Sequence, residues 1–173
     1  MDKKIKTFVV LGMHGSGTSL IAKAMASEIN MGDILCKSNL LRKNGFWEDF
    51  EIVTIDREIL KKAGGNWKDP PKRESILALK DEFEPQMKSI VKRNNKKGLW
   101  GWKNPITVLT IDLWYPLLTN PHIITIFKDP KKVAKTLSTG EKSSIQRFQN
   151  HDNGITLAKE YNKRIMDFLK SIN

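Results

Sequence analysis

Apolar residues along the chain fall into short continuous runs and longer periodic stretches. The continuous runs at residues 7–11, 98–102 and 122–127 predict three short buried strands. In the periodic stretches the apolar positions step by three and four residues, which is typical of helices with one buried face. These stretches predict helices over residues 18–29, 52–60, 76–91, 105–118, 130–137 and 155–172. Between residues 30 and 48 the pattern breaks up, which predicts a loop.

The predicted strands and helices alternate along the chain. Such alternation favours a parallel sheet with helices on both faces, that is, a three-layer α/β fold. The length of 173 residues suits one domain, residues 1–173. Because three strands make a small sheet, we expect one or two more that the pattern does not locate.

Glycine and proline mark where several of these elements begin and end. Gly64 is predicted to stop the second helix, and Pro85 to kink the third. Asn104 and Asp129 each precede a proline, which predicts a capping residue followed by the first residue of a helix.

The composition narrows the classes of function. The net charge of +11 favours anionic partners, but the lysines are spread over the whole chain and aromatic residues are not interleaved with them, which argues against a dedicated nucleic-acid surface. The single cysteine, Cys36, and three scattered histidines predict neither a disulfide nor a metal site. No stretch approaches the roughly 20 apolar residues of a membrane span, and no secretory signal precedes the first strand, so we expect a cytoplasmic protein without a membrane partner.

A glycine-rich loop joins the first predicted strand to the first predicted helix. Residues 12–19 read G-M-H-G-S-G-T-S, with the glycine spacing of a P-loop. Backbone N–H groups of such a loop and the positive end of the following helix form an anion site. Thr18 stands where the P-loop lysine would be, so hydrolysis of ATP or GTP is not favoured. The alternative is a glycine turn that serves only folding.

The loop resembles the 5′-phosphosulfate-binding loop of sulfotransferases that use 3′-phosphoadenosine 5′-phosphosulfate (PAPS), whose bacterial members often read G-M-H-R-S-G-T-S-L there. The resemblance continues in residues 44–49, 67–71, 99–105 and 123–137, in the expected order. It implies a P-loop NTPase-like sulfotransferase fold and PAPS as co-substrate, with no metal. It also implies transfer of a sulfuryl group to a hydroxyl or amine of a small molecule or carbohydrate.

The same resemblance implies a set of residues that bind the nucleotide. They are His14, Gly15, Ser16, Gly17, Thr18 and Ser19 in the loop, and Lys128 and Thr136 at the 3′-phosphate. The family has an arginine and, eight residues later, a serine where this chain has Lys128 and Thr136. Lysine meets a phosphate as a point charge without the bidentate fork of arginine, so we expect weaker binding. Alternatively, Asp129 and Pro130 only start a helix and Thr136 lies on its surface.

Two residues are predicted to carry the chemistry. Residues 44–49 resemble a compressed form of the family's N-x-x-G-x-x-E-D segment, which makes Glu48 the candidate base and Asp49 its substitute. Capping of the following helix by Glu48 is an equally open interpretation. Gly15 replaces the family's loop cation, so Lys103 is the candidate that stabilises the leaving phosphate. His14 is a weaker candidate base, which either contacts the nucleotide or packs.

Alternative functions remain open. A P-loop kinase would need a lysine at position 18 and an acidic magnesium ligand after a strand, and the first is absent. A non-catalytic nucleotide- or polyanion-binding protein would suit the net charge and the lost cations. The charge makes an acidic carbohydrate a plausible acceptor, and several tryptophans either stack on such a ligand or lie in the core. They are Trp47, Trp67, Trp100 and Trp102.

Overall fold

The computed structural model describes residues 5–32, 47–139 and 151–172. The strands are β1 (Lys6–Leu11), β2 (Asn30–Met31), β3 (Leu99–Lys103) and β4 (Pro121–Thr125). The helices are α1 (Thr18–Met25), α2 (Phe50–Lys62), α3 (Arg73–Leu77), α4 (Lys80–Asn95), α5 (Thr107–Trp114), α6 (Pro130–Thr139) and α7 (His151–Ile172). A 3₁₀ turn at Tyr115–Leu117 follows α5.

The four strands form one sheet in the order β2-β3-β1-β4, and all pairs are parallel. The predicted α/β class with a parallel sheet is therefore confirmed. The fourth strand, β2, lies where the sequence predicted only a loop. Its two residues are too few to show a hydrophobic period, and they are extended because they pair with Trp100 and Gly101 of β3.

Side chains alternate between two cores on the two faces of the sheet. Val9 and Leu11 belong to the larger core with residues of α2, α4, α5 and α7, whereas Val10 packs with Ala22 of α1 and Met31. Helices therefore cover both faces, as the three-layer prediction requires. Trp100 and Trp102 are buried in the larger core, so they are core residues and do not stack on a ligand.

Some helix boundaries differ from the prediction for local reasons. The stretch at residues 76–91 forms two helices, α3 and α4, and α4 runs through Pro85. The fifth helix starts at Thr107, after a turn over residues 104–107 that is closed by a bond from Thr107 N to the Asn104 carbonyl (3.0 Å). The side chain of Asn104 caps this turn, since its Oδ1 accepts from Ile106 N at 3.2 Å. Asp129 caps α6 as predicted, since its carboxylate accepts from Lys131 N at 2.7 Å.

The order of the strands creates a switch point between β1 and β3. The connection from β1 to β2 passes over β3, and the connection from β3 to β4 passes over β1, in the opposite direction. In parallel α/β sheets such a reversal opens a crevice at the carboxyl ends of the strands, where ligands bind. Val10 of β1 lies opposite Lys103 of β3, so the loop after β1 and the end of β3 meet at this edge.

Among residues 5–32, 47–139 and 151–172, no helix is both long enough and apolar enough to cross a bilayer.

Candidate functional site

The loop between β1 and α1 has the backbone geometry of an anion site. Gly15 and Gly17 have φ angles of +79° and +104°, a left-handed region that favours glycine. The Ser16 amide donates to the Met13 carbonyl at 3.0 Å, which closes a tight turn. Gly17 occupies the N-cap of α1, and no side chain caps this helix. The positive end of α1 and its first N–H groups can therefore receive an external anion.

Gly12 is required because the loop closes tightly on itself. A Cβ at this position would lie 2.7 Å from Thr18 Cγ2, 2.8 Å from Ser16 Oγ and 3.0 Å from the Ile126 carbonyl oxygen. A side chain here would push the turn away from both α1 and the end of β4. The first glycine of the motif is thus explained by packing, and Gly15 and Gly17 by their φ angles.

Lys128 and Thr136 meet the loop, although they are more than 100 residues away in sequence. The ammonium of Lys128 donates to the Gly15 carbonyl at 2.8 Å and lies 3.4 Å from the hydroxyl oxygen of Thr136. A Cβ at Gly15 would lie 3.1 Å from Thr136 Cγ2, so Thr136 occupies the space beside the missing side chain. The predicted pair and the predicted loop are therefore neighbours. Thr136 is also an exposed residue of α6 that donates to the Lys132 carbonyl, as its alternative interpretation supposed.

Three polar atoms around the loop and the switch point are buried without a hydrogen-bond partner in the described part of the chain. They are Ser16 Oγ, His14 Nδ1 and Trp47 Nε1. Folded proteins pair almost all of their buried polar groups, so an unpartnered group needs a reason. Ser16 Oγ lies within the glycine turn itself, where a bound anion would supply the missing acceptor.

His14 packs against an aromatic side chain and is uncharged. Its ring lies 4.3 Å from the Trp67 ring, centroid to centroid. Burial, and then the positive charges of Lys103 and Arg57, lower the pKa of His14 to about 3. His14 is therefore neutral at pH 7 and adds no positive charge to the loop. Two roles were left open for His14, contact with the nucleotide and packing, and the structure shows its packing against Trp67.

Glu48 and Lys103 form an ion pair at the carboxyl end of β3. The Lys103 ammonium donates to Glu48 Oε1, and the side chains are 2 % and 15 % exposed, respectively. The backbone reinforces this contact, because Lys103 N donates to the Trp47 carbonyl at 3.3 Å. The candidate base and the candidate cation are 55 residues apart in sequence and in direct contact in the fold.

The residue before Glu48 has an unusual backbone. Trp47 has a φ of +57°, which a bulky residue rarely adopts, and such a conformation costs on the order of 1–3 kcal/mol. Strain of this kind persists where surrounding contacts hold it, and here the bonds from Lys103 hold both Trp47 and Glu48. The strain is thus located next to the candidate base.

The helix cap beside this pair is Asp49. Its carboxylate accepts from Glu51 N at 2.9 Å and Ile52 N at 3.2 Å, which is the geometry of an N-cap. The capping role that was left open for Glu48 therefore falls to its neighbour. Asp49 is committed to the cap, whereas Glu48 faces Lys103. Residues 44–46 of the predicted motif lie outside the described residues.

A buried carboxylate on α2, that of Asp56, was not predicted from the sequence. Asp56 of α2 is fully buried and accepts four hydrogen bonds of 2.6–2.8 Å from α5 and the turn before it. The donors are Asn104 Nδ2, Thr107 Oγ1, Thr110 Oγ1 and Trp114 Nε1. Burial raises the pKa of Asp56, and the four hydrogen bonds oppose that shift. A signal was present: Asp56 interrupts the apolar face of its helix between Ile52 and Ile59.

The Asp56 bonds fix the residue that follows Lys103. An aspartate at position 104 would face Asp56 as a like charge. The amide of Asn104 instead donates to Asp56 at 2.7 Å. This bond to α2 holds the end of β3 in place.

The described residues offer groups for an anion, and they contain no cluster of three or more His, Cys, Asp or Glu side chains that could hold a metal ion. No family model, no curated protein and no solved structure matches the chain. The interpretation of the loop and its neighbours therefore depends on the sequence motifs and on the contacts given above.

Proposed function

We propose that this protein is a sulfotransferase that binds PAPS on the loop after β1 and transfers its sulfuryl group to a hydroxyl or amine. The observation that carries the proposal is the contact of Lys128 and Thr136 with Gly15. A lysine and a threonine eight residues apart need not approach a glycine loop. Their convergence on it matches what a nucleotide with two phosphate groups needs, namely a second cation and hydroxyl beside the first phosphate site.

The residues present fit this co-substrate. The turn at residues 12–17, the uncapped start of α1 and the unpartnered Ser16 hydroxyl suit the 5′-phosphosulfate. Lys128 suits the 3′-phosphate as a point charge, and the Thr136 hydroxyl beside it would donate to that phosphate once its proton turns away from the Lys132 carbonyl. The Lys128 ammonium has three donors, so its bonds to the Gly15 carbonyl and to the Thr136 hydroxyl leave one for a ligand.

The chemistry would be an in-line displacement supported by positioning and charge. The acceptor oxygen or nitrogen bonds to sulfur while the bond from sulfur to the bridging phosphate oxygen breaks, and that oxygen keeps the electron pair. Glu48 takes the acceptor proton, and Lys103 stabilises the negative charge on the phosphate oxygen. The products are the sulfated acceptor and 3′-phosphoadenosine 5′-phosphate.

Lys103 has this role because other cations are missing from the loop. Gly15 has no side chain, the space beside it holds the Thr136 methyl group, and His14 is neutral. Lys103 is a buried cation at the neighbouring strand end, and its charge also reaches His14. Its bond to Glu48 keeps base and cation adjacent until the reactants separate them.

The proposal is tested by calorimetric titration with 3′-phosphoadenosine 5′-phosphate, with ATP without magnesium as the control ligand. We expect the bisphosphate to bind more tightly than ATP, and Lys128→Ala to weaken it about tenfold or more, which corresponds to about 1.4 kcal/mol. Lys135→Ala is the matched control, because Lys135 is an exposed lysine of α6, the helix that follows Lys128. An equal loss in both variants, or no binding to the folded wild-type protein, would contradict the proposal.

A second candidate function is non-catalytic binding of a polyanion. It is favoured by α6, which carries the exposed Lys131, Lys132 and Lys135 beside the loop and has no acidic residue. Binding of this kind releases counterions, so its affinity for heparin or DNA falls steeply with salt. A steep salt dependence together with no preference for the bisphosphate over ATP would favour this candidate.

A further inference from the structure

Arg57 of α2 carries a positive charge that has no hydrogen-bonded partner in the described part of the chain. Its side chain is exposed, and among the described residues it forms neither a hydrogen bond nor an ion pair. The other described arginines are each bonded to a carboxylate: Arg73 to Asp112, Arg93 to Glu51 and Arg164 to Glu160. The guanidinium of Arg57 therefore keeps all of its donors for an external anion.

The position of Arg57 on α2 directs it away from α4. The flank of α2 toward α4 carries two ion pairs, Glu51 with Arg93 and Lys62 with Glu82. At about 100° per residue, Arg57 lies about 120° around the helix from Glu51 and about 140° from Lys62. Arg57 thus lies on a side of α2 that α4 does not cover.

Both ends of α2 lead to the candidate site. Glu48, two residues before the helix, is bonded to Lys103 at the end of β3. Trp67, five residues after the helix, packs its ring against His14 of the glycine loop at 4.3 Å. The helix therefore runs beside the site from the candidate base to the loop, and Arg57 lies between these two contacts.

The charge of Arg57 acts on the loop itself. Burial, and then the charges of Lys103 and Arg57, lower the pKa of His14 to about 3. The field of an exposed charge falls off over a Debye length of about 8–10 Å at physiological ionic strength, so Arg57 is close to the loop. The preceding residue, Asp56, is fixed by four hydrogen bonds, which hold the backbone that presents Arg57 in place.

The other cations that contact the loop or the base already have partners. The Lys103 ammonium is bonded to Glu48, and Lys128 donates to the Gly15 carbonyl on the β4 side of the loop. A phosphosulfate carries a negative charge on its phosphate and another on its sulfuryl group. Backbone N–H groups of the loop suit the phosphate, which leaves the sulfuryl group in need of a cation on the α2 side.

We propose that Arg57 binds the sulfuryl group of PAPS. This inference rests on the proposed sulfotransferase function. The planar fork of a guanidinium matches two oxygens of such a group, so Arg57 both balances its charge and orients the sulfur between the acceptor and the bridging phosphate oxygen. Arg57 keeps its protons throughout, and the acceptor proton still moves to Glu48.

The test compares PAPS with 3′-phosphoadenosine 5′-phosphate, which lacks the sulfuryl group. Calorimetry measures binding of both nucleotides to the whole protein. Arg57→Ala should weaken PAPS about tenfold or more and the bisphosphate less than about threefold. Arg57→Lys keeps the charge but loses the fork, so its loss should be intermediate. Lys61→Ala is the matched control, because Lys61 is an exposed lysine one turn further along α2, and it should weaken both nucleotides equally and less than about twofold.

The bisphosphate separates this inference from the proposed function. If the folded wild-type protein binds neither nucleotide, the proposed function fails and the role of Arg57 fails with it. If the wild type binds both, but Arg57→Ala weakens them equally or no more than Lys61→Ala does, the contact with the sulfuryl group is overturned and the nucleotide site stands. Urea unfolding of Arg57→Ala should match the wild type, since the Arg57 side chain is exposed and has no bond to lose within the described residues.

Discussion

Two carboxylates, the buried Asp56 in the middle of α2 and the partly buried Glu48 just before this helix, have different surroundings. Asp56 is held in the core by four neutral donors, and each of its oxygens accepts two hydrogen bonds. Glu48 lies just before the helix, is 15 % exposed and faces one buried cation, Lys103. The first carboxylate is saturated and can only support structure. The second retains capacity for other partners, which is the condition that a catalytic group must meet.

The difference extends to the surroundings of the two groups. Around Asp56 even the indirect partners are paired, since Trp102 Nε1 donates to Thr107 Oγ1 at 3.1 Å. Around Glu48 the backbone of Trp47 is strained and Trp47 Nε1 is buried without a partner in the described part of the chain. Unsatisfied groups and backbone strain cluster at functional sites, whereas cores pair their polar groups. The surroundings of Glu48, and not those of Asp56, therefore have the features of a functional site.

The largest expected effect is the loss of the Asp56 carboxylate. Asp56→Ala leaves four buried donors without an acceptor and opens space between α2 and α5, so we expect the free energy of unfolding to fall by about 4–5 kcal/mol. Urea unfolding at pH 7 measures it. Asp167→Ala is the control, because its pair with Lys163 on α7 is exposed to solvent and should contribute little to stability. A loss near 1 kcal/mol for Asp56→Ala would show that the four bonds are not made.

Removal of Lys103 should have the next largest effect. Lys103→Met leaves the partly buried Glu48 without its cation, which should cost about 3 kcal/mol. In the double variant with Glu48→Gln, part of this loss should return, because no unpaired charge remains. Unfolding of the two single variants and the double variant gives the coupling energy. A coupling energy of zero would mean that the pair is not formed in solution, and the comparison between the two carboxylates would lose its basis.

How much of this site the sequence reveals depends on the kind of contact. Lys128, Thr136, Glu48 and Lys103 could be named because the segments that contain them resemble segments of PAPS-dependent sulfotransferases. Their mutual contacts could not, because these join residues 55 or 113 positions apart and depend on the sheet order. The parallel sheet follows from alternating hydrophobic runs, whereas β2 could not be found in two residues.

Buried polar partners were the least accessible to sequence reasoning. Asn104 was predicted to cap a helix start, and its Oδ1 does accept from Ile106 N at 3.2 Å, but the sequence did not predict that its Nδ2 donates to Asp56 at 2.7 Å. The sequence displays Asp56 only as an interruption of an apolar face. Tertiary packing between α2 and α5 decides which residues donate hydrogen bonds to this carboxylate.

A smaller, pH-dependent effect should come from His14. Its pKa is about 3 in the folded protein and 6.5 as its ordinary value, so the folded state binds fewer protons than the unfolded state between these values. Stability is therefore lost as pH falls below about 6.5, by about 2–3 kcal/mol at pH 4.5. His14→Phe keeps the ring against Trp67 and should reduce this loss. Unfolding at pH 7.0 and 4.5 tests it, and an unchanged difference between the two pH values would show that His14 is accessible to protons.

The smallest effect sharpens the distinction between Glu48 and its neighbour. Asp49→Ala removes the cap of α2 and should cost about 1 kcal/mol, since two N–H groups lose their acceptor. Asp49→Asn keeps a capping oxygen and should recover most of that loss, whereas binding of the bisphosphate should not change in either variant. If sulfuryl transfer is detected, Asp49→Asn should retain it and Glu48→Gln should abolish it, because only Glu48 faces Lys103. The reverse pattern would assign the base to the residue at the cap, and the strain at Trp47 would then support the helix start and not the chemistry.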